Sequence, residues 1–203
     1  AALSCLILYT KNFISMILPI YLYGQPVLRK TAQPVTPDYP KLKELIANMK
    51  ETMYASDGIG LAAPQVGLDI QLVYIDGSAL ADSFPNLEDS KLTLINPVIT
   101  VDENEEPITR SEGCLSLPGM SENVSRVEKI HMTWVDEDFQ PHEADFDGFF
   151  ARIIQHECDH LKGTLYIDHV TGIRKQLMKG KLKKILDGKV SCDYRVRPLT
   201  PKK

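Results

Sequence analysis

The chain is poor in cysteine. Its four, Cys5, Cys114, Cys158 and Cys192, are scattered over 203 residues without a CxxC pair. This spacing excludes a disulfide scaffold of the small secreted kind and points to a reducing, cytoplasmic compartment. Long apolar runs are also missing. The run from Leu3 to Tyr9 is far below the roughly 20 residues needed to cross a bilayer, and Lys11 follows it where a secretory signal would have the charge precede. No Gly/Ser-rich or Pro-rich linker divides the chain, and no internal repeat is visible, so one domain is expected. With 43% hydrophobic residues, 25% charged residues and a net charge of −4, the composition excludes disordered, collagenous and membrane classes. A chain of this length buries roughly 70% of its surface, enough for one core without disulfide or metal staples.

Two asymmetries remain. Met16 opens MILPIYLYGQPVLRK, which reads as a natural start, so residues 1–15 are expected to be a non-native or disordered extension and 16–203 a single domain. Residues 170–203 hold eleven Lys or Arg and two Asp, leaving the rest distinctly acidic. Seven of those cations lie between Arg174 and Lys189, in a helix-compatible segment that is either a solvated face or a surface for a polyanion such as ribosomal RNA.

Periodicity predicts a helix over 37–55, where Leu42, Leu45, Ile46, Met49 and Met53 recur at helical spacing. Strands are predicted over 70–75, 92–101 and 127–135, the second carrying Pro97 and therefore an edge strand or a bulge. A helix from about 149 to 161 follows, with Asp147 as its cap and Gly163 just past its end. A last helix over 172–187 places Ile173, Leu177, Leu182, Ile185 and Leu186 largely on one side. Between Asp76 and Lys91 lies a polar loop without period. Terminal helices around a run of strands predict an α+β fold rather than alternating βαβ units.

The chemistry is concentrated in Gln155-His156-Glu157-Cys158-Asp159-His160. Residues four apart on a helix differ by about 40° in direction, so His156 and His160 project together and can grip one cation. Glu157, about 100° away, is poorly placed as a third ligand but can reach a metal-bound water as general base. Cys158 turns to the opposite side and reads as core. A catalytic site usually takes three protein ligands, and the candidates for the third are His131, His142, His169 and Cys114. His131 sits in a strand-like run and reads as a partly buried, hydrogen-bonded histidine; His142 and His169 look like loop residues. Cys114 lies in Glu112-Gly113-Cys114-Leu115-Ser116-Leu117-Pro118-Gly119, where glycines let the backbone approach a ligand closely. A third segment, Gly58-Ile59-Gly60-Leu61-Ala62-Ala63-Pro64-Gln65, lacks the Lys-Ser/Thr of a phosphate cradle. It reads instead as a tight bend that brings the Gln65 amide to an oxyanion.

Together these three segments resemble the peptide deformylase family, in order and in spacing, and the similarity runs from about Met16 to the last helix. The resemblance implies antiparallel β-sheets packed around a central HExxH-bearing helix, with N-terminal and C-terminal helices, and a single catalytic domain over 16–203. It implies that Cys114 is the third ligand beside His156 and His160, and that Gln65 and the Leu115 backbone N–H stabilise the oxyanion. The implied reaction is hydrolysis of the N-formyl group from the initiator methionine of a new polypeptide. Glu157 accepts the proton as hydroxide attacks the formyl carbon and then returns it to the leaving amine. The implied metal is Fe²⁺, with zinc, nickel or cobalt able to occupy the site. Phe149, Arg152 and Ile153 lie one or two turns before His156 on its face and are expected to line the methionine pocket; Ile59, Gly60 and Gly113 are expected to contact the substrate backbone. The expected partners are N-formylmethionyl nascent peptides and, through the basic C-terminal helix, the ribosome, with no DNA or membrane partner.

The departures from the family are local. The loop 76–91 is longer than in compact members, and Met120-Ser121-Glu122-Asn123 lacks an arginine that some members use to hold the peptide backbone, a role open to Arg126 or Arg152. Two rivals belong to other classes. A metallopeptidase cutting internal peptide bonds needs a third ligand downstream and leaves the first two motifs unexplained. A metal-stabilised ribosome-docking module has no use for Glu157 or Gln65.

Overall fold

The computed structural model describes residues 15–102 and 104–199; the expected extension lies outside them except for Ser15. The fold is α+β, as anticipated. Strand β1 (Ile20–Tyr21) is followed by helix α1 (Leu42–Ala55), strands β2 (Gly60–Ala62), β3 (Leu72–Ile75), β4 (Leu92–Thr100), β5 (Ile108–Gly113), β6 (Ser121–Arg126), β7 (Lys129–Val135) and β8 (Pro141–Asp147), helices α2 (Gly148–Leu161) and α3 (Gly172–Leu186), and β9 (Val196–Arg197). An antiparallel five-stranded sheet has the order β2-β3-β4-β7-β8, β5 and β6 form a hairpin, and β9 pairs in parallel with β1.

The sheet is covered on both faces, which explains why β3 reads as an uninterrupted apolar run. Leu72 and Tyr74 of β3 face a cluster containing Ile46, Met49 and Met53 of α1, whereas Val73 and Ile75 face one containing Ile153, Ile154 and Cys158 of α2. Successive strand residues point to opposite faces, so four residues serve two cores. Pro97 marks a bulge: β4 is an interior strand whose register with β7 shifts between Ile95 and Val98, at a residue with no N–H to donate.

The helix carrying both histidines spans the predicted residues. Asp147 occupies its N-cap in an extended conformation without a side-chain cap bond. Gly163, with φ of 70°, ends the turn where a Cβ would lie 2.7 Å from the Arg29 carbonyl, so only glycine fits.

Three expectations are corrected. The helix predicted from 37 begins at Leu42, because Lys41 takes a left-handed conformation. The stripe predicted for α3 holds only in its second half: Ile185 is buried, Leu182 packs beside it and Leu186 is half-buried, but Ile173 and Leu177 are 76% and 72% exposed and Met178, outside the predicted stripe, is buried instead. The docking face is the 178/182/185 row, about 100° from Leu177. The 76–91 segment is not a free polar loop either. It makes 3₁₀ turns at Ser78–Leu80 and Pro85–Leu87, buries Leu87, and stacks Phe84 on Phe149 with ring centroids 4.3 Å apart.

Candidate metal centre and active site

The β5–β6 ladder ends at Gly113 opposite Ser121, and the next residue, Cys114, meets α2. Its Sγ is 3.3 Å from His160 Nε2, and the donor atoms of Cys114, His156 and His160 all lie within 4.8 Å of one another. Desolvation pushes the Cys114 thiol up, but His160 and His156 more than offset it and bring its pKa down to about 5. Desolvation likewise opposes charge on His156, and hydrogen bonding to Cys114 and Glu112 raises its pKa well above the ordinary value. A thiol held toward its thiolate form and two imidazoles converge on one point, which is the donor arrangement of a metal site.

The imidazole of His156 is oriented from behind. Its Nδ1 lies 2.9 Å from Glu112 Oε2. Buried Glu112 also accepts from Arg126 Nε at 2.7 Å and Nη2 at 3.0 Å and from Arg152 Nη1 at 2.8 Å. Burial would raise this carboxyl, but His156 and Arg126 hold it well below the usual carboxylate range. An ionised Glu112 can only accept, so His156 carries its proton on Nδ1 and leaves Nε2 for a cation. Arg126 Nη1 continues the network to Asp159 at 2.8 Å, which His169 Nε2 meets at 2.8 Å.

Gln65 sits on a buried 3₁₀ turn, Ala63–Val66. Its Oε1 accepts the Ala62 N–H at 2.8 Å, which turns Nε2 toward Cys114 Sγ and Ser116 Oγ, each at 3.4 Å. The amide therefore presents its donor end to the centre. Glu157 is buried, its Oε2 has no hydrogen-bond partner among the described residues, and burial raises its pKa against the pull of His156 and His160. Gly60 stands against it: a Cβ there would be 2.5 Å from Glu157 Oε1.

A cleft of about 540 Å³ opens over these groups, and Gln65, Cys114, Leu115, His156 and Glu157 line it together with Ile59, Gly60, Gly113, Phe149, Arg152 and Ile153. The guanidinium of Arg152 is turned away from a peptide, however, being bonded to Glu112 and to the Val124 and Ile108 carbonyls. With Arg126 equally committed to Glu112 and Asp159, neither is free to replace the arginine missing after Gly119. The other third-ligand candidates are elsewhere: His131 pairs with Asp145, His142 with Asp136, and His169 with Asp159. His142 lies in β8, not in a loop. Cys158 is buried on the far side, its thiol pushed up to about 12 by burial. Sequence reading passed over Glu112 as the anchor of His156. The strand alternation around it is polar on both sides, and nothing local marks a residue whose partners lie 14, 40 and 44 positions away.

The family model described as polypeptide deformylase matches residues 17–176. The peptide deformylase of Flavobacterium johnsoniae is 46% identical over 195 residues, covering 93% of this chain and 99% of that protein. Among solved structures, a Synechococcus elongatus peptide deformylase in complex with actinonin is 36% identical with a TM-score of 0.70, covering 98% of this chain and all of that one. A Plasmodium falciparum peptide deformylase reaches a TM-score of 0.74 at 33% identity, covering 83% and 95%. A match over residues 17–176, a range that contains all three segments converging in this cleft, makes the chain a member of the polypeptide deformylase family.

Proposed function

We propose that this cleft carries out the family's reaction, metal-dependent hydrolysis of the N-formyl group from the N-terminal methionine of newly made polypeptides, with release of formate. The observation that supports it best is the convergence of Cys114, His156 and His160 beside the unpartnered Oε2 of Glu157. Cys114, His156 and His160 would hold a divalent cation, for which a thiolate and two imidazoles are a suitable donor set. When bound, the cation supplies Lewis acidity, making water nucleophilic near neutral pH and polarising a carbonyl oxygen. Our assignment is Fe²⁺, consistent with a soft thiolate ligand, and zinc, nickel or cobalt suit the same donors.

The remaining steps belong to the chain's own residues. Glu157 takes a proton from water as the water oxygen bonds to the formyl carbon. Its raised pKa suits a group that must give that proton back to the nitrogen when the C–N bond breaks. The Gln65 Nε2–H and the Leu115 N–H stabilise the charge that develops on the carbonyl oxygen, each donor contributing about 3 kcal/mol. Ile59, Gly60 and Gly113 approach the substrate backbone, and Phe149 and Ile153 form the apolar wall for methionine, with Arg152 beneath them as support.

Residues 16–203 act as one catalytic domain in this reading. We place the enzyme in the cytoplasm, where polypeptides are newly made; among the described residues no helix is long and apolar enough to cross a membrane. The exposed Lys181, Lys183 and Lys184 of α3 are candidates for docking on ribosomes, which charge reversal and co-sedimentation would test.

The direct experiment measures formate release from formyl-Met peptides by protein purified without oxygen, with metal analysis of the same sample. Glu157→Gln should keep its metal and lose turnover by about 10²–10⁴-fold; near-normal turnover would remove Glu157 as the base. Cys114→Ser should lose or exchange its metal, and unchanged content would exclude Cys114 as a ligand.

A further inference from the structure

The match to the family model ends at residue 176, yet the chain beyond α3 comes back to the cleft. Tyr194 is among the residues lining it, beside Gly58, Leu115 and Pro118, and its hydroxyl donates to the Leu115 carbonyl at 2.8 Å. Around that residue the tail is pinned: the Ile20 N–H donates to the Arg195 carbonyl at 2.8 Å and the Leu22 N–H to the Arg197 carbonyl at 3.1 Å.

The loop on the other side of this hydrogen bond has lost its strand partner, because the β5–β6 ladder stops at Gly113. Its three successive carbonyls are satisfied from three sources. Cys114 accepts from the Leu117 N–H at 2.9 Å, within the loop, and Ser116 accepts from the Tyr23 N–H at 2.9 Å, from the N-terminal segment. Leu115, between them, accepts from the Tyr194 side chain. The middle peptide unit is thus oriented by one phenol delivered from a distant part of the chain, 79 residues away. The phenol fixes the Leu115–Ser116 peptide unit, which is joined through the Leu115 Cα to the Cys114–Leu115 unit carrying the N–H assigned to the oxyanion. With the Cys114 carbonyl held by the Leu117 N–H, both units flanking that residue are then fixed, and preorganised donors of that kind are what such a site requires.

We infer that the C-terminal tail is a working part of the active site, with Tyr194 as a positioning residue that holds the Cys114–Ser116 loop, and hence the Leu115 amide, in its catalytic orientation. The inference rests on the oxyanion role proposed above for Leu115.

Tyr194→Phe removes the hydroxyl and little else. Against formyl-Met-Ala-Ser it should lower kcat roughly fivefold, the worth of one hydrogen bond, with KM within about twofold of wild type. Metal content should be unchanged, and amide hydrogen exchange at Leu115, Ser116 and Leu117 should accelerate. A tail that merely ties the fold together would lower the melting temperature and leave kcat per metal-loaded enzyme intact, which would overturn the inference. A fall in kcat with unaltered exchange in the loop would overturn it as well. Semisynthetic replacement of the Leu115 amide by an ester separates this inference from the reading on which it rests. If the ester enzyme is slow and Tyr194→Phe is not, the tail's role fails and the oxyanion assignment stands. If Tyr194→Phe is slow and the ester enzyme is not, the Leu115 assignment fails while Tyr194 still positions the loop, acting then through Cys114 or Ser116.

Discussion

Nδ1 of His156 and Oε2 of Glu112 lie 2.9 Å apart, and this contact decides which nitrogen of the imidazole is offered to a cation. The carboxylate is itself clamped by Arg126 and Arg152, all three side chains being at most 5% exposed. The ligand is therefore aimed by a buried ionic network rather than by the helix alone.

Glu112→Gln keeps an acceptor oxygen but removes the charge that compensates two buried guanidinium groups. Breaking a buried pair in this way costs about 3–5 kcal/mol, and the loss of orientation at His156 should weaken metal affinity about 10–100-fold. Thermal melts combined with a chelator competition would measure both. A lower melting temperature with wild-type metal affinity would confine Glu112 to a structural role.

Gly60→Ala would place a methyl group 2.5 Å from Glu157 Oε1 and 2.8 Å from its Cδ. The end of a side chain can move where backbone cannot, so the protein should fold and bind metal while its carboxyl is displaced. The expected signature is a kcat at least tenfold lower at little cost in stability, a displaced base being the cause. Steady-state kinetics beside a melting curve would detect it, and full activity would show that Glu157 tolerates the shift.

Gln65→Ala removes a donor whose orientation is set by its own Oε1 bond to Ala62. Its effect should fall on kcat, by roughly 100-fold, more than on KM. A pure rise in KM would place Gln65 in ground-state binding instead.

Phe84→Ala deletes a ring stacked 4.3 Å from Phe149. Loss of an aromatic pair worth about 0.5–1.5 kcal/mol should loosen the Phe149 wall and raise KM for formyl-Met peptides roughly two- to tenfold. An unchanged KM would show that α2 alone holds Phe149.

Asp76 ties the 76–91 segment to the body, accepting from Ser78 N at 3.0 Å and from Tyr54 Oη at 2.5 Å. Burial opposes its charge, but the bonds from Ser78 and Tyr54 hold its carboxyl below the usual range. With the folded value below an unfolded value near 3.9, its contribution is present above about pH 4 and is lost as pH falls through the folded value. Asp76→Asn should therefore cost about 2 kcal/mol at pH 7, and the gap from wild type should narrow in acid. A gap independent of pH between 7 and 3 would contradict the assignment.

The sequence by itself determined the chemistry and the helices that carry it. His156 and His160 share a face because a helix turns about 100° per residue, and α1, α2 and β3 announce themselves because each buries a periodic or continuous apolar set. The hairpin β5–β6 and the edge strand β8 were silent, being polar ribbons held by backbone ladders whose pairing no local pattern encodes. Only the tertiary structure decided that Arg126 and Arg152 serve Glu112 rather than a peptide, that α3 docks through Met178 beside Ile185 and leaves Ile173 and Leu177 exposed, and that Tyr194 reaches Leu115. For the arginines and Tyr194 the physical reason is that a buried charge or an unpaired carbonyl takes whatever partner the fold brings within about 3 Å, however far away it lies along the chain; for α3 it is that an apolar side chain is buried only where the rest of the fold supplies a surface to cover it.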